Sequence, residues 1–291
     1  MKDGKNYDRF SNDPVLNEDG KPIVSQWVER NPLIIKALAD HAILNFDDLA
    51  AIVGGNRHSL YRTVRILKAR NNGYIALTHD CLKAKSLRRP LVFHLTQKGV
   101  EWAKENNTVV TAPKRVAPGY EDHAMLTAHV VASIHTGVAQ QPPARIVSWD
   151  EIKSHPKFGT GLEGQSVWPD THPFRIELIN NGKPDWRTLV IEADNGTESI
   201  KRRIKEKFQL YKEFMDNKEY IKRYGVSNYY VLFVFTKRAR LDHSKQLLEE
   251  MGGNRFILFQ QAYQDPSIPA GYIFMTPCER AGYPSLQLNQ L

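Results

Sequence analysis

Glu192 and Asp194 stand two residues apart at the end of a short apolar run, Leu189-Val190-Ile191. Side chains alternate across a strand, so both carboxylates fall on one face of the strand's end. Two carboxylates on one face can hold a divalent cation. Asn195-Gly196 then turns the chain, and Thr197 or Ser199 is placed to cap a following helix that carries Glu198 in its first turn. That helix runs to about Met215 and opens with Lys201, Arg202, Arg203, Lys205 and Lys207 against the single acid Glu206. Acids at a strand end beside a run of bases are suited to handling a phosphate backbone.

The elements that must position these residues require two cores. A chain of 291 residues is long enough for two domains. Hydrophobic content of 41% and charged content of 25% exclude disorder as the overall state. The formal charge is +8 and the bases are clustered, which points to a polyanionic partner. Cys81 and Cys278 are the only cysteines, so neither a disulfide framework nor a cysteine-based zinc site is expected. The opening segment MKDGKNYDRFSNDP has no apolar signal core, and the longest apolar run, Tyr229–Phe235, is far shorter than a membrane span. A soluble, cytoplasmic protein with no membrane partner is expected.

Residues 1–30 are polar and read as a flexible arm. From Pro32 the pattern becomes helical, with Leu33-Ile34-Ile35, Ala37, Leu38 and Ala42 in a first helix. A second opens at Asn45-Phe46-Asp47-Asp48 and stops at Gly54-Gly55. Asn56 caps a third, in which Leu60, Val64 and Leu67 recur at helical spacing and form the core face. Arg57, Arg62 and Arg65, with Tyr61 between them, occupy the opposite face. Two apolar segments follow, Tyr74–Thr78 and Pro90–Thr96, joined by a loop with Lys83, Lys85, Arg88 and Arg89. Three helices and then a basic hairpin is the order of a winged helix-turn-helix, whose third helix enters the major groove of double-stranded DNA while the wing contacts the backbone. This domain is expected over 31–105, with a closing helix from Gln97. The alternative is a solvated basic face on a protein-interaction helix.

The segment 106–119 contains two prolines and no apolar period and reads as a linker, so a second domain is expected over 120–291. It begins with a helix at Tyr120–Val138 carrying His123, His129 and His135. Their six-residue spacing winds them around the helix, which argues against a metal site. Strands are expected at Arg145–Trp149, Pro173–Ile179, Trp186–Ala193, Tyr229–Phe235 and Arg255–Phe259, with a helix at Asp242–Met251 and an edge strand at Gly271–Met275.

Helix, three strands, helix, strand resembles the core of the restriction-endonuclease-like, or PD-(D/E)XK, nucleases, so the fold class expected is α/β (α+β): a winged helix-turn-helix followed by that domain. The residues that carry the resemblance are Pro169-Asp170, Glu192-x-Asp194, and Lys207 with Tyr211. It implies that Asp170 and Glu192 hold Mg²⁺ and that a lysine orients the attacking water, with Asp194 and Glu151 as further acids of the metal site. Carboxylate-held Mg²⁺ would neutralise the charge that builds on oxygen as a phosphodiester is cleaved. Where the superfamily places lysine, two residues after Glu192, this chain has Asp194; Lys207 would have to take over. A second Pro-Asp pair, Pro184-Asp185, lies in the hairpin close before Glu192, and Asp170 is preferred over it.

A narrower resemblance rests on Leu95-Thr96-Gln97-Lys98-Gly99, His123, Trp149 with Glu151, Pro169-Asp170, the run Glu192-Ala193-Asp194-Asn195-Gly196-Thr197-Glu198, and Lys207 with Tyr211. Together these resemble the replication-relaxation family of plasmids and other mobile elements, over roughly residues 33–235. The implied role is replication or mobilisation of a DNA element, and family resemblance does not by itself imply cleavage.

Three readings are open. The favoured one is a DNA-binding protein of a mobile element whose nuclease-like domain is a non-catalytic scaffold. The second is a Mg²⁺-dependent endonuclease or nickase using Asp170, Glu192 and Lys207. In the third, the acids merely cap and pair with the basic helix. Tyr211 as a covalent nucleophile is disfavoured because no His-x-His accompanies it. No GxSxG or Walker-type loop is present either. A winged helix reading a palindrome pairs with a second copy, which leaves a homodimer open.

Overall fold

The computed structural model describes residues 30–69, 72–78, 91–106, 108, 110, 120–161, 163–164, 166–180, 183–196, 198–262 and 271–289. The fold is mixed α/β, with helices and two sheets, and the chain divides into two compact units, Met1–Ala128 and His129–Leu291. The division falls inside the helix Glu121–Ala139, C-terminal to the segment expected as linker.

In the first unit the helices Arg30–Asp40, Phe46–Val53 and Arg57–Lys68 surround a core of Ile34, Ile35, Leu38, Leu49, Leu60, Val64 and Leu67. Two of them start as the sequence pattern expects. The Asn45 side chain accepts from the Asp48 amide at 2.8 Å and that of Asn56 from the Ser59 amide at 3.1 Å, each satisfying an amide that has no partner within its own helix. A three-stranded sheet completes the unit: β1 (Leu44–Asn45) and β2 (Ile75–Leu77) both pair antiparallel with β3 (Val92–Leu95), which lies between them. Phe93 and Leu95 of β3 reach the same core as the helices.

The segment Leu95-Thr96-Gln97-Lys98-Gly99 has a structural job here. Thr96 caps the helix Gln97–Glu105 by accepting from the Gly99 amide at 3.2 Å, and its hydroxyl donates to the Gly73 carbonyl at 2.5 Å. The Lys98 ammonium sits 4.4 Å from the centre of the Tyr74 ring. Gly99 packs so closely on the Tyr74 backbone that a Cβ would lie 2.2 Å from its carbonyl oxygen.

The second unit is built on a seven-stranded sheet in the order β10-β9-β8-β7-β6-β5-β4. Its strands are β4 (Arg145–Val147), β5 (Phe174–Asn180), β6 (Lys183–Asp194), β7 (Tyr230–Phe235), β8 (Ile257–Gln261), β9 (Pro277–Arg280) and β10 (Tyr283–Gln287). Strands β6, β7 and β8 run parallel and the outer pairs antiparallel. Parallel neighbours need a crossover. The helices Lys205–Asp216 and Glu219–Tyr224 supply it from β6 to β7, and Arg238–Glu250 from β7 to β8.

Register makes rows across the parallel strands. Val190, Val231 and Ile257 form one, Glu192, Phe233 and Phe259 the next, and Asp194, Phe235 and Gln261 the last. The helices lay Phe208, Tyr211, Phe214, Leu241 and Leu248 over that face, which holds the main core. Glu192 is therefore placed in a row with two phenylalanines.

Three local expectations are corrected. Tyr272–Met275 is a short helix, not an edge strand: the amides of Phe274 and Met275 both donate to the Gly271 carbonyl, and Gly271 has φ 91, a left-handed value that glycine adopts without strain. The strands on that side are β9 and β10. Trp149, expected to end a strand, opens the helix Trp149–Lys153, because Ser148 caps it. The basic helix begins with a π-turn, Ile200–Ile204, and Ser199 at its start makes no side-chain capping bond. Thr197 lies outside the described residues. No described helix is long and apolar enough to cross a membrane.

Substituting Gly99→Ala drives a methyl into the Tyr74 carbonyl and is expected to destabilise the first unit by about 1–3 kcal/mol. Urea unfolding followed by circular dichroism checks this; an unchanged midpoint would show that the backbone contact is not tight.

Candidate functional site

Two groups of residues were singled out by sequence, one in each unit. In the first unit the helix Arg57–Lys68 keeps Leu60, Val64 and Leu67 fully buried and turns Arg57 and Arg62 outward, with Arg65 half-buried. The three arginines are not equivalent. Arg57 is ion-paired to Asp47 and its guanidinium lies 4.9 Å from the centre of the Phe46 ring. Tyr61 packs edge-on against the same Phe46, at 6.1 Å between centroids, and borders the core. Arg62 is exposed and makes no ion pair among the described residues. Lys83, Lys85, Arg88 and Arg89 lie outside the described residues.

In the second unit the acids are placed by β6. Asp170 comes alongside because its segment continues the sheet where β5 leaves off: the Asp170 amide donates to the Ile191 carbonyl at 3.0 Å and the Ile191 amide to Thr171 Oγ1 at 3.0 Å. Asp170 Oδ2 then accepts from the Ala193 amide at 2.7 Å, which fixes its carboxylate beside the end of β6. Asp185 lies instead toward the far end of the β5–β6 hairpin, opposite Leu178, and accepts from the Trp186 amide.

Lys207 and Tyr211 are four residues apart on the helix Lys205–Asp216 and so share a face, the one turned to the sheet. Glu192 is 1% exposed, and both its oxygens are taken. Oε1 accepts from the Tyr211 hydroxyl at 2.5 Å and Oε2 from Lys207 Nζ at 2.8 Å. Lys207 also donates to Glu198 Oε1 at 3.2 Å, so its ammonium bridges two carboxylates.

Burial, then the nearby charge of Asp170, pushes the Glu192 carboxyl up to about 7, against the opposing pull of Lys207 and Tyr211. For Lys207, burial acts to lower the pKa, but Glu192, Asp170 and Glu198 outweigh it and the net effect raises it. Burial and then Glu192 raise Tyr211 well above its ordinary value, so its phenol stays a donor. Burial thus holds the Glu192 carboxyl well above the ordinary carboxylate range.

Asp194 has other partners. Arg240, from the helix Arg238–Glu250, donates to its Oδ2 through Nε at 3.0 Å and Nη2 at 2.5 Å, and Nη2 also reaches the Glu198 carbonyl at 2.7 Å. The Gly196 amide donates to Oδ1 at 2.7 Å. Glu151 stands on the surface, paired with Arg145, which also holds Glu177.

A Mg²⁺ ion asks for open carboxylate oxygens in near-octahedral array. Here the oxygens of Glu192 and Asp194 are engaged by protein cations and hydrogen-bond donors, one oxygen of Asp170 is engaged by an amide, and Glu151 is bound up elsewhere. Among the described residues no group of three or more His, Cys, Asp or Glu side chains is gathered so as to hold a metal. The four acids, as arranged, do not fit the ion.

Asp170, Glu192 and Lys207 are brought together; Asp194 is drawn to Arg240, and Glu151 is not part of the group. The sequence reading missed Arg240 and Glu198 as partners. Parallel register offers the signal for Arg240: Asp194 faces Phe235, so the first turn after β7 must come close to Asp194.

The replication-relaxation family model matches residues 35–228, a span that begins inside the helix Arg30–Asp40 and includes the helices Phe46–Val53 and Arg57–Lys68, Glu192, Lys207 and Tyr211. No curated protein and no solved structure matches the chain.

Because the Glu192 pKa is raised from 4.5 to about 7, its contribution to stability is present in full below the unfolded value and is lost as pH rises through the folded one. Over that window the folded protein retains a proton that the unfolded chain has released. Glu192→Gln keeps an acceptor for Tyr211 and removes the titration. Urea unfolding across the window is expected to show a falling stability for the wild type and a flatter profile for the variant. Parallel profiles would refute the assignment.

Proposed function

The chain belongs to the replication-relaxation family, and from that membership we propose that it is a DNA-binding protein acting in the replication or mobilisation of a plasmid or other mobile element. The observation that carries the reading is the helix Arg57–Lys68, which buries Leu60, Val64 and Leu67 together with Thr63 and Lys68 and leaves Arg57 and Arg62 exposed and Arg65 half-buried. It is the third helix of a unit completed by an antiparallel sheet, the arrangement in which a winged helix-turn-helix lays its third helix in the major groove of duplex DNA. The excess of bases, +8 overall, supports a polyanionic partner.

The second unit is read as a nuclease-like scaffold. Its ion pairs, Glu192 with Lys207 and Asp194 with Arg240, occupy the oxygens a catalytic metal would need. The convergence of Asp170, Glu192 and Lys207 favours one alternative, a metal-dependent endonuclease or nickase.

Arg62→Ala combined with Arg65→Ala is expected to weaken duplex binding and to lower the slope of log affinity against log salt by about 2. A salt-titrated fluorescence anisotropy series measures both; full retention of binding would remove the major-groove assignment. Supercoiled plasmid incubated with Mg²⁺ or Mn²⁺ separates scaffold from nuclease. The scaffold reading expects no nicking above that of Glu192→Ala, and clear nicking by the wild type alone would install the alternative.

A further inference from the structure

Trp168 stands out in the second unit as a large apolar side chain left 63% exposed. Its backbone is held on both sides. Val167 before it is buried in the main core, and Asp170 after it is bonded to β6 through its amide and its carboxylate. Pro169 between them restricts the chain further. The indole makes no ring contact and no hydrogen bond among the described residues. Burial of a large apolar side chain is worth roughly 1.5–3 kcal/mol, so a rigid segment that presents one to solvent forgoes a sizeable stabilisation.

Cations frame the same end of the sheet. Lys201, Arg202, Arg203 and Lys205 are exposed on the π-turn and the start of the helix that follows β6. Arg203 reaches Glu206 at 3.7 Å, while Lys201, Arg202 and Lys205 have no ion-pair partner among the described residues. Lys237 is exposed just beyond β7, where the Thr236 amide donates to the Asp194 carbonyl at 3.2 Å. The Trp168 segment, the basic turn and Lys237 thus all adjoin the last residues of β6.

We infer that the second unit carries its own site for single-stranded DNA, in which an unpaired base stacks on Trp168 and the backbone follows Lys201, Arg202 and Lys205. An indole face with cations nearby is the pairing that unpaired strands select, since every base offers a π-face once it is out of the duplex, whereas in duplex DNA those faces are already stacked. The inference rests on DNA being the partner, and it adds a strand form and a surface separate from the helix Arg57–Lys68.

The full-length protein is titrated with a fluorescein-labelled oligothymidylate and, separately, with a labelled duplex. Trp168→Ala is expected to weaken oligothymidylate binding about tenfold and to leave the duplex unaffected, while Trp168→Phe retains most of the affinity. Because the indole is exposed, the variant's thermal unfolding should match the wild type. Replacing Lys201, Arg202 and Lys205 by alanine should lower the single-strand salt slope by about 2. Unchanged oligothymidylate binding by Trp168→Ala, or an equal loss on the duplex, overturns the proposal. Arg62→Ala with Arg65→Ala serves as the discriminating control: it should impair the duplex alone. If it spares the duplex while Trp168→Ala loses the single strand, the major-groove reading fails and this one stands.

Discussion

A carboxyl group buried in an aromatic row sets the terms for the second unit. Register puts Glu192 beside Phe233 and Phe259 on the covered face of the sheet, where an unpaired charge would cost several kcal/mol. The structure answers with Tyr211 and Lys207 from a single helical face. That requirement fixes the rotation of the helix Lys205–Asp216. The rotation in turn lays Phe208, Phe214 and Met215 onto the sheet. The chemistry of one side chain and the packing of a whole layer are therefore the same constraint, and removing either partner would strand a polar group in the core.

Asp194 shows how position at a strand's end redirects an acid. An alternating strand sends it to the face of Glu192, but it stands at the strand's end, where the next crossover helix begins. Arg240 meets it there in a two-pronged contact and holds the Glu198 carbonyl as well, so the turn between strand and helix is tied to the helix Arg238–Glu250. Lys207 spans Glu192 and Glu198 across the same turn. Positive charge thus comes to the acids from the protein's own side chains. The acids thus tie a turn and a helix start to the sheet.

Much of this was legible in the chain, for reasons that can be named. The caps at Asn45 and Asn56, the core positions Leu60, Val64 and Leu67, and the strand leading to Glu192 are local signals, set by neighbours within one turn or one strand. The approach of Asp170, Lys207 and Tyr211 to Glu192 was implied by the family resemblance, while whether Lys207 reaches Glu192 stayed open until the fold set the two 2.8 Å apart. What escaped was long-range or weakly patterned. Arg240 lies 46 residues from Asp194, and only the parallel register of β6 and β7 links them. The segment Gly271–Met275 is apolar enough for a strand, yet its short length left Gly271 to decide for a helical turn. The π-turn at Ile200–Ile204 had no sequence mark at all, since Ser199 looked like a cap and makes no capping bond.

The two basic surfaces differ in a way that bears on what each can bind. On the helix Arg57–Lys68 the cations project from a regular, stiff element, with Arg57 restrained by Asp47 and Phe46. Around the end of β6 the cations sit on a turn and a helix start, and Trp168 offers a flat indole to solvent from a pinned segment. That geometry suits a strand that can bend to it and turn out its bases. On the proposed reading the stiff helix would serve duplex DNA and the turn beside Trp168 an unpaired strand, so the two surfaces would divide two forms of the same polyanion.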